Sequence, residues 1–326
     1  MTLEGAVMTG EAEFTRRTEP FRKELLAHCY RMLASVHEAE DVVQETYLRA
    51  WRSYSAFEGR SSLRVWLYRI ATNACFTALD QRGRRALPSG LGAPATDLSP
   101  GAPAEPGTLF VEPIADSLVV GESADPATIV ATRESLRLAL IAALQYLPAK
   151  QRAVLILREV LGFPAAEVAT MLGTSVAAVK STLQRARARL DDTSLSVSEV
   201  PAPTDPQAQA LLTDYITGFE NADTAALERA LRADAAIEMV GSPTWFSGRE
   251  LCMQVLNDAV GSPGDWRMIP IIANGQPAVA SYGRTTAGLM AFGVAVLTPT
   301  STGITHIHVF SDPSLVTLFG LPPTAD

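Results

Sequence analysis

Phe163-Pro-Ala-Ala-Glu-Val-Ala-Thr-Met-Leu-Gly-Thr-Ser-Val-Ala-Ala-Val-Lys-Ser-Thr-Leu-Gln-Arg-Ala-Arg-Ala-Arg-Leu190 carries the decisive pattern of this chain. A helix-turn-helix needs a short first helix, a tight turn built on glycine, and a second helix that can both dock and enter a groove. Pro164 fits a first helical turn, and Glu167 places an acid near the helix N-terminus. Gly173 supplies the turn, and Thr174 or Ser175 can cap the second helix. On that helix Val176, Val179, Leu183, Ala186 and Leu190 fall within a stripe of roughly 80°, the face expected to pack inward. The opposite side presents Ala177, Lys180, Ser181, Gln184 and Arg185, small or hydrogen-bonding residues suited to a major groove roughly 12 Å wide. Arg187 and Arg189 flank the stripe within reach of phosphates. A solvated helix end also collects cations. Turn, cap, stripe and basic face agree here, so residues 165–184 are expected to bind DNA.

Outward from this element the periodicity stays helical for a while. The spacing predicts helices over Ala149–Leu161 and, upstream of Pro148, over about 128–147. Residues 86–126 hold seven prolines and no sustained period, which reads as a linker. Before it, residues 11–85 are helical again. Phe21, Leu25, Cys29 and Met32 recur at helical spacing, a second helix opens at Asp41, and a third runs from Leu63 through Ala74. After the helix-turn-helix, residues 193–206 form a second proline-bearing linker. Residues 207–326 then change character. Helices near 208–221 and 224–231 precede strands at Ala236–Val240, Trp266–Ala273, Ala278–Arg284, Leu289–Leu297 and Thr305–Phe310, the mark of a small α+β domain.

Composition narrows the classes. At 326 residues and 47% hydrophobic content the chain should fold as two or three domains. It has no apolar run of membrane-spanning length and no basic-then-apolar start, so a cytoplasmic protein is expected. Cys29, Cys75 and Cys252 lie far apart in the sequence without CxxC spacing, which predicts buried reduced thiols and no metal site. The net charge of −8 looks wrong for a nucleic-acid binder until it is divided along the chain. Residues 11–85 carry +3 and 127–192 carry +4, whereas 86–126 hold six acids and no base, and 193–326 carry −8. Two basic modules alternate with two acidic segments.

Glu40-Asp-Val-Val-Gln-Glu-Thr-Tyr-Leu-Arg-Ala-Trp51 and Phe57-Glu-Gly-Arg-Ser-Ser-Leu-Arg-Val-Trp-Leu-Tyr-Arg-Ile-Ala-Thr-Asn73 resemble region 2 of the extracytoplasmic-function (ECF) sigma factors of the sigma-70 family. Leu147-Pro-Ala-Lys-Gln-Arg-Ala-Val-Leu-Ile-Leu-Arg-Glu159 with the helix-turn-helix resembles their region 4. The resemblance implies two all-α sigma domains, a region 2 helical bundle and a region 4 helix-turn-helix, at 11–85 and 127–192. It also implies an alternative sigma factor that binds core RNA polymerase and directs promoter-specific transcription initiation, without being an enzyme. Its partners would be promoter DNA and the clamp helices and flap of core polymerase, with an anti-sigma factor or a small ligand on the C-terminal domain as further candidates, and no membrane or cofactor. Asp41, Gln44, Glu45, Leu48, Arg49 and Trp51 match the helix that docks on the clamp helices of the polymerase's largest subunit. Phe57, Arg60, Ser61, Ser62 and Asn73 match the loop and helix that capture an unstacked base of the −10 element. Strand separation needs such aromatic platforms and pockets, although Trp66, Leu67 and Ile70 read as helix core, leaving Asn73 and the loop to carry the function. Ala177, Lys180, Ser181, Gln184, Arg185 and Arg187 would read the −35 element. The acidic linker would thread the polymerase cleft, or serve as a solvated tether.

Gln209 to Leu227 and Leu231 to Met239 resemble the opening of a SnoaL-like domain, an α+β cone of the cystatin/NTF2-like kind shared with ketosteroid isomerases. Ala273-Asn-Gly-Gln-Pro-Ala278 and the ending from Phe310 resemble the version fused to one actinobacterial group of sigma factors, the G/J type. That fold can host acid–base chemistry, for which Tyr215, Asp234, His306 and His308 are the candidates. No carboxylate can be set opposite an oxyanion donor from these residues, and no third ligand joins the two histidines, so no catalytic or metal residue is assigned. A regulatory domain is expected, by docking or by ligand sensing.

Overall fold

The computed structural model describes residues 3–59, 61–80, 82–99, 104–121, 125–191 and 200–325. The chain forms two compact units. The first gathers Met1–Arg84, Ser117–Ala131 and Leu140–Leu195, and the second gathers Arg85–Asp116, Thr132–Ala139 and Ser196–Asp326.

The first unit begins with α1 (Leu3–Thr18), α2 (Arg22–Leu33), α3 (Val36–Ser53) and α4 (Leu63–Asp80). The α2–α3 turn is tight because Ala34 takes the left-handed conformation (φ 56°) and Ser35 then caps α3, its hydroxyl accepting from the Glu38 N–H at 3.2 Å. Apolar positions at helical spacing meet in one core of Leu25, Leu26, Met32, Val43, Leu67 and Ala71. Cys29 and Cys75, distant in sequence, are neighbours there. The hydrogen bond with Cys75, together with burial, pushes the Cys29 thiol well up, so it stays protonated.

The chain returns to this unit through α5 (Asp116–Val119), α6 (Pro126–Glu134), α7 (Leu138–Leu144), α8 (Ala149–Leu155), α9 (Ala165–Leu172) and α10 (Val176–Asp191). Two sequence expectations change. The helix expected at 149–161 is α-helical only to Leu155 and finishes in a π-helical turn, Ile156–Val160. The helix expected at 128–147 breaks at 135–137, where Leu136 is wholly buried and its carbonyl accepts a hydrogen bond from Asn274 at 2.7 Å.

Regions flanking the linker pack on each other. Phe163, just ahead of α9, lies edge-on to Tyr68 of α4 at 5.0 Å, and the Arg64 guanidinium stands 4.4 Å over the Phe163 ring. Arg152 of α8 is buried, donating to Met32 O of α2 and to Gln145 Oε1 at 2.7 Å.

The second unit is a sheet with three of its helices on one face and the short C-terminal helix on the other. Its strands are β1 (Arg85–Ala86), β2 (Leu109–Phe110), β3 (Leu231–Val240), β4 (Trp245–Ser247), β5 (Trp266–Ala273), β6 (Gln276–Thr285), β7 (Gly288–Thr300), β8 (Gly303–Phe310) and β9 (Thr324–Ala325). The main sheet has the order β4-β3-β8-β7-β6-β5, with β9 beside β7. β3 and β8 run parallel and the other pairs antiparallel. Its helices are α11 (Pro206–Glu220), α12 (Thr224–Ala230), α13 (Arg249–Val260) and α14 (Pro313–Leu318). Leu212, Tyr215, Phe219, Leu227 and Leu256 of α11–α13 pack on Ile237 and Ile307. Strands β3 and β5 to β8 lie where the sequence pattern predicts strands, whereas β1, β2, β4, β9, α13 and α14 are not among the expected elements.

Residues 86–126, expected to be an unstructured tether, are in large part laid on this sheet. β1 pairs in parallel with β2, and Ala86, Leu87, Val111, Ile114 and Ala115 are buried. The Trp245 indole donates to Gly92 O at 2.9 Å, and the Ala95 N–H donates to Trp245 O at 2.8 Å. Of the second expected linker, 193–206, residues 193–199 lie outside the described residues.

Candidate functional site

The first unit presents three surfaces where sequence reasoning places function. On α3, Asp41, Gln44, Leu48 and Trp51 are exposed at i, i+3, i+7, i+10, a single stripe. Leu48 is 51% exposed, unusual for a leucine with a core available close by. Glu45 and Arg49 are half-buried and pair at 2.6 Å. Trp51 is anchored on one side by Phe14 of α1, ring centroids 5.3 Å apart.

At the start of α4 and along it, Ser62 and Asn73 are exposed, while Phe57 and Ser61 are half-buried. Phe57 lies against Trp66 at 4.8 Å with the rings tilted by 36°. Trp66 and Ile70 are only half-buried and Leu67 alone of the three is fully buried, so Trp66 belongs with the loop aromatics more than with the core. Arg60 lies outside the described residues.

On the helix-turn-helix, Gly173 adopts φ 60°, and Ser175, not Thr174, caps α10 by accepting from the Ala178 N–H at 3.1 Å. Val179 and Ala186 are buried, and Leu183 and Leu190 half-buried. Ala177, Lys180, Ser181, Gln184 and Arg185 all face solvent. Val176, expected inward, is 40% exposed at the first turn of α10. Recognition helices touch base edges with their N-terminal residues, and an apolar side chain there suits a thymine methyl. Arg187 is exposed but forms an ion pair with Glu159 of the π-helical turn, with Nε to Oε1 at 2.6 Å.

The second unit holds a site whose residues stand out in the sequence without revealing their role. Asn274 and Gly275 form the two-residue tip of the β5–β6 hairpin, both at positive φ (55° and 67°), as a type I′ turn demands. The tip grips two separate stretches. Asn274 Oδ1 accepts from the Ile114 N–H at 3.0 Å, and the Gly275 N–H donates to Asp116 Oδ1 at 2.8 Å. Asn274 Nδ2 donates to Leu136 O at 2.7 Å, and Gln276 Oε1 accepts from the Leu138 N–H at 3.2 Å. Gly275 is irreplaceable on two counts, since a Cβ would also stand 2.7 Å from the Arg133 backbone. Arg133 in turn bonds Asp116 at 2.8 Å.

On the opposite face of the sheet from α11–α13, Glu238 is buried. The Ser89 N–H and hydroxyl both donate to its carboxylate at 2.9 and 3.0 Å, and His308 Nε2 lies 3.4 Å away. Burial opposes ionisation of Glu238, but His308 and Ser89 outweigh it and hold its pKa at about 2. Sequence reasoning misses Glu238, whose only signal is a charge inside an apolar strand. Of the acid–base candidates, His306, His308 and Asp234 lie near one another, and Tyr215 is set apart from them. Tyr215 packs with Ile237 and Ile307, whereas His308 projects from the other side of β8, His306 stacks beside it at 5.9 Å, and Asp234 is exposed and paired to Arg232.

Comparison with known proteins settles the family. Residues 18–85 match sigma-70 region 2 and residues 137–190 match sigma-70 region 4. The ECF RNA polymerase sigma factor SigG of Mycobacterium tuberculosis is 48% identical over 313 residues, 95% of this chain and 84% of that protein. The chain belongs to the ECF sigma factors. The RNA polymerase sigma-H factor of Pseudomonas aeruginosa is 31% identical over 171 residues, 52% of this chain and 80% of its own. The crystal structure of M. tuberculosis SigJ superposes with a TM-score of 0.60 at 20% identity, covering 95% of this chain and all of the other, so the fold is shared across the length of both units. As an ECF sigma factor the protein works with core RNA polymerase and promoter DNA in transcription initiation. No helix among the described residues is long and apolar enough to cross a membrane.

Proposed function

We propose that the C-terminal domain of this sigma factor governs the reach between its two DNA-reading regions by holding the chain that joins them. The carrying observation is the grip of Asn274–Gln276 on residues 114–116 and 136–138. Elements named −35 and −10 lie about 25 base pairs apart, or ~85 Å of duplex at 3.4 Å per pair. α4 is only ~27 Å long at 1.5 Å per residue, and Phe163 packs directly on it. Regions 2 and 4 therefore have to part before both elements are engaged, and the joining chain has to supply the length. With both stretches gripped, only residues between 116 and 136 remain to extend.

In this reading the α3 stripe docks on polymerase, Phe57, Ser61, Ser62 and Asn73 meet the −10 strand, and the exposed face of α10 reads −35. The C-terminal domain acts by binding and not by turnover, a role supported by the separation of Tyr215 from His308. The protein works in the cytoplasm, where polymerase and promoter DNA are. The test is Asn274→Ala combined with Gln276→Ala, removing buried hydrogen bonds that cost about 1–3 kcal/mol each when broken. Free-protein affinity for promoter DNA should rise severalfold, with a matching rise in transcription by added core polymerase. Unchanged affinity and unchanged transcription would remove the grip from the mechanism.

A further inference from the structure

Residues 193–326 contain thirteen acids and only five bases, all arginine. Three of those five, Arg229, Arg232 and Arg249, line one pocket of about 370 Å³ at the junction of α12, β3 and α13. In an acidic domain such convergence is electrostatically unfavourable, because like charges brought together repel. Three of the five have partners. Arg267 pairs with Glu220, Arg284 bonds Gly264 O, and Arg232 pairs with Asp234 at 2.8 Å. Arg229 and Arg249 have no hydrogen bond or ion pair among the described residues. Arg249 also opens α13, the end of a helix that repels a cation, and Gly248 before it offers no side-chain cap. One carboxylate, Asp234, faces three guanidinium groups, leaving the pocket at +2.

We propose that this pocket binds the phosphate of a phosphorylated sugar. A phosphomonoester dianion matches the uncompensated charge, and guanidinium forks match its oxygens. Arg249 and Ala233 also border an adjoining groove of about 700 Å³, whose mixed wall sets Glu228, Glu250, Gln254 and Asn257 beside Met253 and Ala225. Glu228 and Glu250 there can accept hydroxyl hydrogen bonds and repel a second anionic group, so the body of the ligand is neutral and hydroxylated. Each of the two volumes falls within the size range of small-molecule sites. This site is independent of the grip on the joining chain, and its test involves neither polymerase nor promoter.

Calorimetric titration of the full chain with glucose 6-phosphate, inorganic phosphate and glucose tests it. Glucose 6-phosphate should bind saturably and more tightly than inorganic phosphate, and glucose should not bind. Arg229→Ala and Arg249→Ala should each weaken binding by about tenfold or more, since each removes a charged hydrogen-bond donor. Arg267→Ala, on an arginine already paired elsewhere, should leave it unchanged. Both pocket arginines are exposed, so the variants keep their fold, checked by an unshifted melting curve. Absence of saturable binding by either anion up to about 10 mM overturns the proposal, and so does binding that Arg229→Ala and Arg249→Ala leave intact.

Discussion

Glu238 shows how much a single buried carboxylate organises. Its pKa of about 2 lies below the ordinary 4.5, so its ionised form stabilises the folded domain above that ordinary value, and the contribution disappears as pH falls from about 4.5 towards 2. The apparent melting temperature of the wild type should therefore drop through this window. Glu238→Gln should melt lower at pH 7, by about 1–3 kcal/mol of stability, and should lack most of that acid-dependent drop. Equal acid sensitivity in the two proteins would mean that Glu238 does not carry it. Such residues escape sequence reading because their meaning lies in a partner 149 positions away, Ser89. Val176 escapes it for a related reason. A stripe drawn at 100° per residue treats the first turn like the middle, whereas here Val176 in that turn is 40% exposed.

Elements are more legible than single residues. α3, α4, α9 and α10 can be read because each buries one face and their apolar residues recur every three or four positions, and α2 because its apolar residues keep that spacing although Leu25–Leu33 is buried all round. α13 cannot, since Cys252, Leu256 and Val260 form a thin stripe between two glycines, in a stretch dominated by strand and turn signals. On α3, Leu48→Asp should weaken association with core polymerase in a direct titration without lowering the melting temperature, because Leu48 touches little of the core. Trp51→Ala should weaken it too but also destabilise, through loss of the Phe14 contact. On α10, Arg185→Ala should cost about 1–3 kcal/mol and relax preference at one −35 position when binding is compared across single-base variants. Arg187 has to leave Glu159 to reach a phosphate. Arg187→Ala should then reduce the salt slope of DNA binding by about one, while Glu159→Ala raises affinity for all sequences alike.

For the molecule as a whole, order and identity of the domains can be read directly, but the joining chain cannot. Its prolines and lack of period are real; its order comes from the sheet beneath Ala86, Val111 and Ile114, which no local pattern encodes. Packing of Phe163 on Tyr68 predicts a large change on activation. A dye pair at the exposed positions 55 and 189 should separate when core polymerase is added, and constant energy transfer would show that the regions stay together. The hairpin tip also has a consequence in time. Gln276 and its partner Leu138 are 138 residues apart, and a ribosome adding 5–20 residues per second needs roughly 7–28 s to make the interval. If the hairpin restrains the two DNA-reading regions as proposed, then through the later part of that interval the nascent chain already carries both regions while the residues that restrain them do not yet exist. Each newly made molecule would then pass once through an unrestrained youth, and a polymerase met during translation would meet a different protein from one met afterwards.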